Sequence, residues 1–539
     1  MNDVSKFVQA APFGGNRSWD GRVTLKFDRW DTIIVGAGIG GLTAAAKLVG
    51  AGRRVLVLDR NPHPGGTAYA FHRKSFSFPM GPLGFSSPEI VKNILQEFGY
   101  GEGFGFDRIH FRLKAFNLSL PLSLSYDEMV NTLSSHFPSE KDSVAAFFRE
   151  IERLSTLPET NTTAVGHPHP QGWAGRPVAE YLHGIIRDWR LRRILGSLGT
   201  REPYSSFALQ AAMWNLMIKN GIWYPKGGMR SFAERLVQAI EGGPKRGNGL
   251  VRLRTEVRGI RVKARSVLGV TLRDGTDIDA CSVISNADYK TTFLRLLDRN
   301  TVPDPWYQAV SDAKQTGSVL QVCLGVDKGR VDLSPFVGGS RVIYRRDQGD
   351  IFEEAEPDWK AEEIDPEILA AQELEVSLWN KEDRKLAPDG GDVIVIRTEA
   401  PYTHFARYRI GYRKRVPAYF DYKMKLGRAL IREIRGLIPG LEDAIIVMDV
   451  ATPLTFEDQG GRSEGAVAGW SWDYEDFHDW QPRELVRTPI RGLYMAGYQA
   501  FTALFAGGVP TAMESGMRAA EAVLQGADPV EEVIIPWRM

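Results

Sequence analysis

The sequence predicts an α/β protein in which a parallel sheet covered on both faces is interleaved with a second, α+β unit. Three observations carry this. Asp31 to Leu48 reads as strand, glycine turn and helix. A second strand, glycine and helix pattern runs from Arg491 to Leu524. Between them helical and strand blocks alternate without an internal repeat, and 539 residues are too many for one simple core.

Taken in order, Ile33 to Val35 form the short apolar run of a doubly covered parallel strand. Gly36, Gly38 and Gly41 follow at G-x-G-x-x-G spacing, with Ala37, Ile39 and Gly40 completing the turn. The first glycine permits a tight turn, the second lets a pyrophosphate approach the backbone, and the third lets the helix pack close to the sheet. The helix start offers free N–H groups and a partial positive charge to phosphates. The next strand, Val55 to Leu58, delivers Asp59, whose carboxylate suits ribose hydroxyls and repels a 2′-phosphate. Strand, glycines, helix, strand and acid in this order predict a dinucleotide site.

A rigid loop follows from Arg60 to Thr67, with two prolines and the Gly65-Gly66 pair, and its backbone is suited to lie against a ligand. A Gly-Gly loop here, where a nicotinamide enzyme would start another helix, favours the longer FAD. Ser75 to Phe78 alternates like a strand and then turns through Pro79, Gly81, Pro82 and Gly84. His63 and His72 are expected in solvated loop positions.

Ile90 to Asn220 reads as mostly helical, with helices over Tyr126–His136 and Glu140–Leu154 split by Pro138, and a loop over 155–175. The apolar and aromatic run from Phe207 to Tyr224 reads as core, with the lining of a tunnel for an apolar substrate as the alternative. A helix over Ser231–Ile240 leads to strands at Val251, Val257–Val262, Gly269–Leu272 and Cys281–Ser285, with a hairpin at Asp274-Gly275. Asn286 to Asp288 ends the last strand and can cap a helix. The chain thus returns to the nucleotide unit after a helical excursion, which implies a discontinuous domain. Further strands are expected at Gly317–Gly325, Glu373–Leu378 and Asp392–Arg397, a helix at Phe420–Leu437, and a solvated charged loop between Asp347 and Glu363.

The last unit runs through Gly497 to Gly507-Gly-Val-Pro510, with Pro510 in the first helical turn. This second helix start can meet the other end of the same cofactor, with the Gly508 and Val509 N–H groups facing flavin N1 and O2. A nicotinamide enzyme has no need of it, so the cofactor expected is FAD. The resulting division is an arm at 1–30, an FAD-binding domain at 31–110, 225–300 and 480–530, a substrate domain at 111–224 and 301–479, and a tail at 531–539.

The net charge of +1 gives no reason to expect a nucleic-acid partner. Two distant cysteines, Cys281 and Cys323, argue against a disulfide framework or a metal cluster and for a reducing cytoplasm. No apolar run reaches the ~18 residues of a spanning helix, and the N-terminus lacks a signal peptide's apolar core. Phe7, Phe13, Trp19, Phe27 and Trp30 among cations suit an arm packed on the surface, with peripheral membrane contact on the cytoplasmic face as the second reading.

With these blocks in place, the sequence resembles FAD flavoproteins of the phytoene desaturase, carotenoid isomerase and retinol saturase type, within the amine oxidase superfamily. The likeness extends from Asp31 to Leu524. It includes the first glycine motif, Asp59 with Gly65-Gly66, Tyr224-Pro-Lys-Gly-Gly-Met229 and Val283-Ile-Ser-Asn-Ala-Asp288. It continues through Asp449-Val-Ala-Thr-Pro-Leu-Thr-Phe456 to Gly492–Gly497 and Gly507–Pro510. The resemblance implies a Rossmann-like FAD domain, a substrate domain often opening toward a membrane, and adenine contact by the backbone at Val257. Where the family often has Phe-Asp-x-Gly-Pro, this chain has Phe78-Pro-Met-Gly-Pro82.

The expected chemistry is hydride exchange at flavin N5 with a long, apolar polyene or isoprenoid: desaturation, saturation or isomerisation, with oxygen or a quinone as electron acceptor. An amine oxidase-like enzyme and a non-catalytic prenyl or lipid carrier are the alternatives. No acid or base is assigned; Glu202, His404, Glu457 and Asp458 are expected to be structural.

Overall fold

Short apolar strands need cover, and the chain supplies it with helices drawn from three distant segments. The computed structural model describes residues 29–81, 84–155, 177–196, 198, 207–242, 248–347, 357–471, 484–501 and 508–530. The strand Arg29–Val35 pairs in parallel with Val55–Leu58 on one side and Asp277–Ser285 on the other. Gly249–Arg252 extends the sheet beyond Val55–Leu58, and Leu493–Met495 pairs with the end of Asp277–Ser285, both in parallel. Val257–Lys263 and Ser266–Leu272 add an antiparallel flank. The helices Ile39–Gly50, Gly228–Glu241 and Gly508–Gln525 pack together against this sheet.

The arm expected at 1–30 lies almost wholly outside the described residues, but its end does not: Arg29 and Trp30 already belong to the first strand. Trp30 is fully buried, so it serves the core rather than an arm. The loop at 155–175 and the tail at 531–539 also fall outside the described residues, apart from Ser155 at the end of a helix.

A second sheet runs in the order Ile445–Ala451, Val319–Asp327, Gly391–Glu399, Leu374–Leu378, Arg341–Tyr344, Phe111–Ala115 and Leu118–Pro121. All its pairs are antiparallel except Arg341–Tyr344 with Phe111–Ala115. One face is apolar. Leu320, Val322, Ile396 and Val376 join the helix Ala418–Glu433 in a separate core containing Leu426 and Leu430. The mostly helical reading of Ile90 to Asn220 is corrected here. Phe106–Ile109, Phe111–Ala115 and Leu118–Pro121 are strands, because Phe111, Leu113 and Ala115 alternate inward at period two. The helices Tyr126–His136 and Lys141–Ser155 form as expected, on either side of a short turn at Pro138.

Candidate functional site

The glycine turn is tighter than a ligand alone would require. Gly36 has φ +101°, open only to glycine without strain. A Cβ on Gly41 would lie 2.3 Å from the Gly36 carbonyl oxygen, and one on Gly38 would lie 2.6 Å from the Asn286 amide nitrogen. A side chain at Gly38 would therefore have to displace the Asn286 amide. Asn286 leaves the end of strand Asp277–Ser285, donates its N–H to Val35 O at 2.8 Å and wedges its side chain among the glycines.

The first helix has no side-chain cap and no acidic residue in its first turn. Asp59 ends the second strand, 8% exposed, with Oδ2 accepting from Ala37 N–H and Oδ1 from Asn61 N–H, both at 2.7 Å. Burial pushes its carboxyl up, against those two N–H groups. Each oxygen keeps a further lone pair for a hydroxyl donor.

The first helix start packs against the segments that close the chain. A Cβ on Gly40 would meet Gly497 N at 2.7 Å and Ala512 O at 2.8 Å. Between them opens a cavity of about 1640 Å³. Gly36, Gly38, Ile39, Gly40, Asp59 and Arg60 line it, as do Gly65, Gly66, Thr67, Gly81 and Val257, and Gly497, Gly508 and Val509 at the C-terminal side. Ala37 and Gly41 lie behind this surface, and Pro82 is outside the described residues. Arg462, which the sequence did not mark, donates to Thr67 Oγ1 at 2.9 Å and lies over the Tyr498 ring.

The run from Phe207 to Tyr224 serves both readings at once. Phe207 and Trp214 are fully buried, while Leu209, Met213, Leu216 and Ile222 face the cavity. A wider π turn, Leu216–Asn220, follows the helix and carries Leu216 into the same wall.

His404 lies in the core, away from the cavity, whereas Glu457 and Asp458 line the cavity and are held there by ion pairs. His404 is fully buried; its Nδ1 is 3.0 Å from Trp359 O and its Nε2 is 2.8 Å from the Tyr422 hydroxyl. Trp359 is thereby anchored, while Asp358, Lys360, Glu362 and Glu363 around it are exposed, as a solvated charged loop requires. Arg409 bridges Glu457 and Asp458, Arg415 pairs with the second oxygen of Asp458, and Tyr402 donates to Glu457 at 3.0 Å. His63 is not a solvated position: it stacks on Tyr69, and burial pushes its imidazole down to about 4. His72 sits on the strand Ala70–Arg73, 2.8 Å from Ser77 Oγ. Glu202 is outside the described residues.

A parallel sheet with a glycine turn, an acid at the end of the second strand and one long cavity defines a dinucleotide-dependent enzyme with room for a second molecule. The chain belongs to the flavin containing amine oxidoreductase family, whose model matches residues 39–353. It is 26% identical over 514 residues to the prolycopene isomerase of Daucus carota, covering 88% of this chain and 77% of that protein. It is 26% identical over 525 residues to the neurosporene-forming phytoene desaturase of Rhodobacter capsulatus, covering 92% and 94%. Among solved structures it matches an oxidoreductase from Methanosarcina mazei with a TM-score of 0.59 at 17% identity, covering 90% of this chain and 99% of that one. The protein is an FAD-dependent oxidoreductase with a Rossmann-like, mixed α/β fold.

The residues present suit FAD. The cradle admits no side chain at Gly40, where backbone atoms stand on two sides, and beside it the buried Asn286 Oδ1 has no hydrogen-bond partner among the described residues. The volume also exceeds the ~300–1,000 Å³ of an ordinary ligand pocket, as a site for a dinucleotide plus a substrate requires. Among the described residues no helix is long and apolar enough to cross a membrane.

Proposed function

We propose that the protein exchanges hydride with a carbon of a long, largely apolar, unsaturated substrate of the polyene or isoprenoid kind, in a desaturation, saturation or isomerisation. The observation that carries this reading is one cavity that continues from the glycine turns to the apolar wall of Phe85, Leu209, Met213, Leu216 and Ile222. The names of the relatives agree in kind: one is a prolycopene isomerase and one a phytoene desaturase.

In this reading the N–H groups from Gly38 to Gly41 hold the pyrophosphate and Asp59 the ribose. The backbone at Val257 lies along the adenine. Arg60, Gly65, Gly66, Thr67 and Gly81 follow the body of the cofactor, and Gly497, Gly508 and Val509 take the pyrimidine edge. When bound, FAD supplies a two-electron acceptor or donor at N5. The apolar wall excludes water and sets the substrate carbon in line, about 3–3.5 Å from its reaction partner. The FAD-binding domain is assigned to 31–110, 225–300 and 480–530, and the substrate domain to 111–224 and 301–479. Oxygen or a quinone takes the electrons, in the cytoplasm or at its membrane face.

The test is anaerobic photoreduction of the purified yellow protein, followed by mixing with polyenes and quinones. Reoxidation by a quinone together with a changed polyene spectrum supports the reading. Protein that neither carries nor takes up FAD sinks it, and peroxide formed from amines instead would move it to C–N chemistry.

A further inference from the structure

Besides its apolar wall the cavity has a polar one, carried by the second sheet. Strand register sets Gln321, Arg397 and Glu375 in one row across three neighbouring strands. Alternation gives these residues one face of the sheet, the other being the apolar face already described. Arg397, Glu373 and Glu375 line the cavity, with Arg345 beside them.

Arg397 is positioned firmly but by neutral partners. Its Nε donates to Gln321 Oε1 at 2.6 Å and its Nη2 to Gly81 O at 2.9 Å. Gln321 is itself oriented by donating Nε2 to Pro79 O at 3.1 Å. The neighbouring cations are paired: Arg345 with Glu373 at 3.3 Å and Arg341 with Glu382 at 3.0 Å. Among the described residues no carboxylate lies within ion-pair distance of Arg397, and its Nη1 makes no hydrogen bond. Glu375, adjacent in the row, bonds Ser377 Oγ at 3.0 Å instead. Burial pushes the Glu375 carboxyl up, against the pull of the Arg397 charge, with which it forms no ion pair. A half-buried cation with an open donor facing a cavity calls for an anionic oxygen.

We infer that the substrate carries a carboxylate that docks on Arg397, with its hydrocarbon part running along Met213, Leu216 and Ile222, so the enzyme selects unsaturated acids over hydrocarbons. This rests on the proposed reading of the cavity as holding FAD and substrate together. Arg397 is a binding residue here and takes no part in hydride exchange.

The probes are oleate and oleyl alcohol, which share a chain and differ in the head group. Binding to the flavin-loaded protein is read by titration calorimetry and by perturbation of the flavin absorption band. Oleate is expected to bind on the order of tenfold or more tightly than the alcohol. Arg397→Gln is expected to remove that preference while keeping flavin content and alcohol affinity, and Arg397→Lys to restore part of it. Equal affinity of wild-type protein for acid and alcohol, or binding of neither, overturns the inference whatever the variants do. Loss of flavin in Arg397→Gln also overturns it, by moving Arg397 to the cofactor. Protein that never takes up FAD fails the earlier proposal instead, so the two failures are distinguishable.

Discussion

A Cβ built on Gly516 would stand 2.3 Å from the Gly40 carbonyl oxygen, so the first and last glycine helices meet backbone to backbone. The contact joins residues far apart in the chain and brings two helix starts to one cavity. Gly516→Ala is expected to lower stability by about 1–3 kcal/mol through forced separation of the helices, and to loosen flavin retention with it. Denaturant unfolding with and without FAD measures both; an unchanged midpoint would contradict the packing.

Asp59 holds Ala37 and Asn61 N–H groups while facing the cavity. Asp59→Ala should weaken FAD binding by on the order of 1–3 kcal/mol, since the variant both loses an acceptor and strands two donors. The bound flavin to protein ratio after gel filtration reports it. Full retention of flavin would remove Asp59 from the cofactor site.

The half-buried His63 and the fully buried His404 make stability pH-dependent. Burial first of all lowers both imidazoles, His63 to about 4. The unfolded chain then binds protons below about 6.5 that the native chain refuses. Their contribution is complete above the unfolded value and is lost as pH falls toward the folded one. The melting temperature should drop between pH 7 and 5, and less steeply in His63→Asn. A flat profile in the wild type would show these histidines already solvated.

Asp458 accepts from Arg409 at 3.0 Å and from Arg415, which is 8% exposed. Asp458→Asn leaves buried cations short of a partner and should cost about 3–5 kcal/mol. Flavin content per folded molecule should not change. Intact stability with abolished turnover would instead make Asp458 a reacting group.

Much of the fold was legible because its signals are local. Gly36 to Gly41, Asp59 and Pro510 each sit where one turn or one helix start demands them. The three strands between Phe106 and Pro121 were missed because Arg112 and Lys114 break their apolar run, although Phe111, Leu113 and Ala115 alternate. Asn286 was read as the end of a strand. Only the approach of Gly38, Gly40 and Gly497 from other segments makes its side chain part of the site.

Arg397 left a faint trace, one charge closing the apolar run from Val393 to Ile396. Its meaning depended on which strands lay beside it. The sequence alone determined the cofactor half of this protein, because a phosphate cradle is built from a few consecutive residues whose backbone geometry allows little choice. The substrate half was decided by tertiary structure, because the row of Gln321, Arg397 and Glu375 exists only once three separate strands take their register. Cross-strand pairing sets both the neighbours and the solvation of each charge, and neither is written at its own position in the chain.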